Sequence, residues 1–135
     1  MEKVARPAAE LEFNSWLDFK RVKESKRVEN QQFGDQIING INDGSITIDE
    51  KTKEMTVKLD FPLTDDQGNE TVSELVVKPR LTVQELNAKL NGAKGNAMDM
   101  QPAYIAAMTG KPIGLIKKLD TQDYSLLINI VVYFL

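Results

Sequence analysis

Apolar positions change their period twice along the chain. Pro7 is placed for a helix N1 position, and residues 8–32 after it contain no Gly or Pro. Phe13, Trp16, Leu17 and Phe19 cluster there with imperfect helical spacing, and Lys20 to Gln32 is almost wholly polar apart from Val22 and Val28. Phe33, Ile37, Ile38 and Ile41 then return on one helical face. Gly34 and Gly40 interrupt that face, each costing a helix about 1 kcal/mol relative to Ala. Residues 1–42 therefore predict one or two helices, loosely attached as an N-terminal helical extension.

From Asp43 the period becomes two. Ser45–Ile48 alternates after an Asp-Gly turn signal, and Val57, Leu59 and Phe61 share one face of a strand that Pro62 is expected to stop. Thr64–Asn69 reads as a polar loop, and Val72–Lys78 as a second strand ended by Pro79. The period then returns to helical. Thr82 and Glu85 form a capping box, with Leu81 and Leu86 as its hydrophobic staple. Helices are expected from Val83 to about Leu90, from Met98 to Met108 and from Thr121, with a short apolar turn at Ile113–Leu119. Asp120 is the expected N-cap of the last helix and Asp123 its N3 residue, each favouring the positive end of the dipole. The fold class is α+β: an antiparallel hairpin, with Ser45–Ile48 as an optional third strand, packed on a small helical bundle over residues 43–135. Val57, Leu59, Leu75 and Val77 are expected to be buried with Leu86, Ile105 and Leu127.

Composition narrows the chemistry. The 135 residues carry 17 Lys and Arg against 20 Asp and Glu, with no Cys and no His. A net charge of −3 argues against a protein living by bulk attraction to phosphate. The commonest general base, the thiolate nucleophile and the commonest metal ligands are missing. Asn91–Asn96 (NGAKGN) lacks the spacing of a phosphate loop. Asp60, Asp65, Asp66 and Glu70 around the hairpin loop do not follow the calcium pattern. Lys20–Arg27 holds five basic residues in eight, the best nucleic-acid signal in the chain, although Glu24 and Glu29 dilute it and no aromatics interleave it. The expectation is a protein that is not an enzyme and needs no cofactor or metal. Met1–Leu11 shows no apolar signal region, and Leu126–Leu135 is too short to span a bilayer. The expected location is the cytoplasm, with neither membrane nor nucleic acid as partner.

The last helix carries the candidate surface. Tyr124, Leu127, Ile128, Val131 and Leu135 make one face, while Leu126, Ile130, Tyr133 and Phe134 spread over the others. The hairpin and other helices can cover one face, so Leu126, Ile130, Tyr133 and Phe134 are expected to meet another chain, a second copy or a client. The competing expectation is that the N-terminal helices cover them. Met98 and Met100, near Tyr104 and Met108, would add adaptable surface, with core filling as the alternative.

Four segments in order, VKLDFP (Val57–Pro62), ELVVKPRLTVQEL (Glu74–Leu86), YIAAMTGKPIGLIKKL (Tyr104–Leu119) and LDTQDYSLLINIVVYFL (Leu119–Leu135), resemble the small tail assembly chaperones of contractile-tail bacteriophages of the Mu and P2 type. The resemblance spans residues 55–135. It implies a helper protein in the cytoplasm of the infected bacterial host, binding the tape measure protein, with tail tube subunits as a second implied client. It also implies absence from the finished virion. Residues 1–42 have no counterpart in that pattern. Two other classes compete: a structural subunit of a tail or tail-like injection machine, and a small nucleic-acid-binding or regulatory domain.

Overall fold

A computed structural model of the chain describes residues 4–93 and 100–134. Three helices come first: α1 (Arg6–Lys20), α2 (Glu24–Glu29) and α3 (Gln31–Asp43). Three strands follow, β1 (Ile46–Ile48), β2 (Met55–Thr64) and β3 (Glu70–Val77). Then come α4 (Val83–Ala93), α5 (Met100–Thr109), α6 (Ile113–Ile116) and α7 (Thr121–Val131), which passes into a 3₁₀ turn at Val132–Phe134. The architecture is α+β, with one antiparallel sheet ordered β1-β2-β3. Ile46 pairs with Val57, and Val57 with Leu75, so the optional third strand is real.

Alternation sets the inner face of the sheet. Met55, Val57 and Leu59 of β2, with Leu75 and Val77 of β3, are buried against Ile105, Ile116, Leu127 and Ile130. Six of the seven expected core positions are buried; Leu86 is half-buried on α4. The capping box forms as expected. Thr82 Oγ1 accepts from the Glu85 amide at 3.1 Å, and Glu85 Oε1 accepts from the Thr82 amide at 3.2 Å. Asp120 caps α7 by accepting from the Gln122 amide at 2.9 Å.

Residues 6–43 are not loosely attached. Ala9, Phe13, Trp16 and Leu17 of α1 and Ile37, Ile38 and Ile41 of α3 belong to the same buried cluster as the sheet and α7. Phe13, Trp16 and Tyr133 form an aromatic group with ring centroids 5.6–6.2 Å apart. The imperfect spacing is due to Phe19, which lies off the buried face of α1 and is 45% exposed, while Phe13, Trp16 and Leu17 share that face; Arg21 then takes left-handed angles (φ 57°), ending α1 and turning the chain into α2. The polar run thus sits on the short, exposed α2 and the turns around it.

Pro62 does not stop β2, which continues to Thr64. The register with β3 shifts between Lys58 and Leu63, so Pro62 lies in an irregular stretch where its missing N–H is tolerated. The same shift takes Phe61 off the buried face and leaves it 50% exposed.

Candidate partner-binding site

Of the six residues expected to form a partner surface, the five that are described do not come together as one. Ile130 is fully buried and Tyr133 is 3% exposed, so neither is free to meet another chain. The Tyr133 hydroxyl donates to the Asn30 carbonyl at 3.0 Å, and its ring packs edge-on to Phe13 and Trp16. The N-terminal helices cover this face, and that corrects the expectation for Ile130 and Tyr133. Phe134 is half-buried, edge-on to Trp16 and under the Lys20 ammonium, which lies 3.4 Å from the ring centroid. Leu126 is half-buried at a separate, polar cleft with Lys58, Gln122 and Asn129. Met100 is exposed at the start of α5, Met108 is wholly buried, and Met98 lies outside the described residues.

A larger cleft lies elsewhere. It has a volume of about 710 Å³ and opens between the outer half of the hairpin and α6. Phe61, Pro62, Leu63 and Val72 form one wall, Pro112 and Leu115 the other, and Lys118 and Asp120 stand at the turn into α7. Asp123 holds the hairpin wall in place. Its carboxylate is buried and accepts from the amides of Asp60 at 2.8 Å and Phe61 at 3.0 Å. The Gln122 side chain adds a bond to Asp60 at 3.0 Å. So Asp123, read from the sequence as a helix-start residue, pins the irregular part of β2 to α7. A Cβ added at Gly114 of α6 would meet nothing within 4 Å, so this wall of the cleft is open to an incoming group.

Sequence reasoning missed this cleft for two reasons. Phe61 falls on the alternation that marks the core face, and only the register shift turns it outward. Helix α6 has four residues, too few to show a period. The signal available was the Phe-Pro pair inside a strand, since Pro in a strand marks an edge or a bulge.

The acidic loop is explained locally. Asp65 Oδ1 accepts from the amides of Gln67 and Asn69, each at 2.9 Å, and these bonds hold its carboxyl below the usual range. Among the described residues no group of three acidic side chains is arranged to hold a metal ion. In the basic run, Arg27 bonds to the Val22 carbonyl and to Asp18, and Lys20 to the Pro79 carbonyl. Among the described residues no helix is long and apolar enough to cross a membrane. No protein-family model, curated protein or solved structure matches the chain.

Proposed function

We propose that this protein is a non-catalytic phage tail assembly chaperone, working in the cytoplasm of the bacterial host, with the tape measure protein as its client. Tail tube subunits are the second client of this reading. The client docks in the cleft between the hairpin and α6. One observation carries the proposal. Of the four segments that resemble the chaperone family, three contribute to the lining of this cleft: Phe61 and Pro62 from the first, Pro112, Gly114, Leu115 and Lys118 from the third, and Asp120 from the fourth, with Leu63, Thr64, Thr71 and Val72 between the segments completing it. The cleft also suits the task. It is open, with apolar walls and polar groups (Thr64, Thr71, Lys118 and Asp120) among its lining, and an amphipathic client helix could lay its apolar face there. Full burial of a Phe side chain is worth roughly 1.5–3 kcal/mol, so covering the exposed half of Phe61 favours docking by about 1 kcal/mol.

The test is to look beside this gene for one encoding a very long, helical, tape-measure-like protein and to co-express the two, followed by affinity capture. Gly114→Leu fills the cleft without touching the core. It is expected to keep the melting temperature of the parent and to lose the client. Purified virions should contain none of the protein; its presence there in stoichiometric amount would establish the structural-subunit reading instead. Unchanged capture by Gly114→Leu would show that the client binds elsewhere.

A further inference from the structure

The outer end of the hairpin is a small unit of its own. Lys58 pairs with Glu74 and Leu63 with Val72, so residues 59–62 of β2 stand opposite Ser73 alone and the ladder is broken there. Pro62, inside that stretch, has no amide to give to a ladder. Beyond the break the hairpin is held together from within. Leu63 and Thr64 pair with Val72 and Glu70, and Asp65 accepts from the amides of Gln67 and Asn69, each at 2.9 Å. Leu63 and Val72 are half-buried against the core, while residues 64–71 are exposed. At the break itself the bonds come from α7. The buried Asp123 carboxylate accepts from the amides of Asp60 and Phe61 at 2.8 and 3.0 Å, and the Gln122 side chain donates to the Asp60 carboxylate at 3.0 Å. In front of the unit lies the cleft of about 710 Å³, with Pro112 and Leu115 on its far side.

We propose that this outer unit, residues 63–72, is a hinged arm. It turns about residues 59–62, closes on α6 when an apolar group fills the cleft, and is held in its open setting by Asp123. Three features carry this. The broken ladder removes the strand-to-strand bonds that would fix the angle between the two halves of the hairpin. A tip bonded within itself moves as a body instead of unravelling. The bonds that set its angle come from side chains of another element, so a small local change releases it. Closure also has a driving force. Phe61, Leu63 and Val72 stand across the opening from Pro112 and Leu115, and an apolar group between them lets both walls leave water. The trigger rests on the reading of this cleft as the client site; the hinge does not.

The experiment uses the full chain with no client present. The sequence has no cysteine, so Gln67→Cys at the tip and Lys111→Cys, next to Pro112 in the opposite wall, take spin labels at those positions alone. Pulsed EPR then reads the distance between arm and wall, and the parent is expected to show one narrow distribution. Asp123→Asn keeps the size of the side chain and removes its charge. It should broaden the distribution and speed amide exchange at Asp60, Phe61, Leu63 and Val72 by about tenfold or more, the scale of a hydrogen bond to a charged group. Exchange at Val57, Leu75 and Leu127 should stay within about twofold of the parent. Gln122→Ala, at an exposed position, should act in the same direction to a smaller degree, and it decides the matter if Asp123→Asn fails to fold. Gly114→Leu puts an apolar group into the cleft from α6, and should shorten the distance and slow exchange at Leu63 and Val72. An unchanged distribution in the Asp123 and Gln122 variants means a fixed wall and overturns the proposal. So does equal acceleration of exchange across the whole domain, which would tie Asp123 to the core alone, or a Gly114→Leu distance that does not shorten. Client capture enters none of these readings. An arm that closes in a chain that captures nothing leaves the hinge standing, and a captured client with a fixed arm removes only the hinge.

Discussion

Gly34 shows how one residue decides between helix propensity and packing. It sits inside α3, where Ala is ordinarily better by about 1 kcal/mol. A Cβ there would lie 2.7 Å from the Tyr133 hydroxyl and 2.9 Å from the Phe13 ring. Neither neighbour can yield cheaply. The Tyr133 hydroxyl is bonded to the Asn30 carbonyl, and Phe13 is stacked on Trp16. The glycine therefore brings α3 close to α1 and to the 3₁₀ turn, and the propensity cost seen in the sequence has a packing reason. Gly34→Ala should destabilise the protein by about 1–3 kcal/mol, the usual cost of overpacking. The same change at Gly114, which faces open space on a short helix, should be neutral or slightly stabilising. Urea denaturation of the two variants checks the difference in sign. Equal effects would mean that local propensity, rather than the Tyr133–Phe13 contact, governs Gly34.

At the scale of elements, the N-terminal helices and α7 stabilise one another. α1 and α3 cover the faces of Ile130 and Tyr133 that would otherwise meet water, and Val4 and Asn42 exchange hydrogen bonds at the other end of α3. A chain beginning at Asp43 should lose cooperative thermal unfolding and bind a hydrophobic dye, because Trp16, Phe13, Ile37 and Ile41 leave the core together. A sharp melting transition in that fragment would show instead that residues 43–135 hold a sufficient core alone. This mutual cover explains what was legible in the sequence. The capping box at Thr82–Glu85, the Asp120 cap and the pairing of β2 with β3 depend on residues close in the chain, and each formed as expected. The fate of Ile130 and Tyr133 depends on helices about 100 residues away in sequence. An all-round apolar helix states that every face is covered, but not by what. The hairpin–α6 cleft was hidden similarly: the register shift that exposes Phe61 is anchored by Asp123, 62 residues further along.

Across the whole molecule two clefts differ in kind, and the difference can be read by salt. The hairpin–α6 cleft has walls of Phe61, Pro62, Leu63, Pro112 and Leu115 with one cation and one acid, Lys118 and Asp120, at its end, while the cleft beside the β3–α4 turn gathers Lys20, Lys26 and Arg80 around Leu86 and Tyr104. Apolar burial is insensitive to ionic strength, or strengthened by excluded salts. Attraction between partly exposed charges is screened over about 10 Å at 0.1 M ionic strength and about 3 Å at 1 M. Capture of the client proposed for the hairpin–α6 cleft should therefore persist in high salt. The clefts share no lining residue, so Arg80→Glu should leave that capture unchanged while Gly114→Leu abolishes it. Calorimetric titration of the parent and the two variants, each at low and high salt, measures both effects. Retained client binding at high salt, lost on Gly114→Leu, is the expected pattern. Client binding that collapses with salt in the parent and is insensitive to Gly114→Leu would move the client to the cationic cleft. In that case Phe61 and its neighbours would be exposed apolar surface with no part in capture.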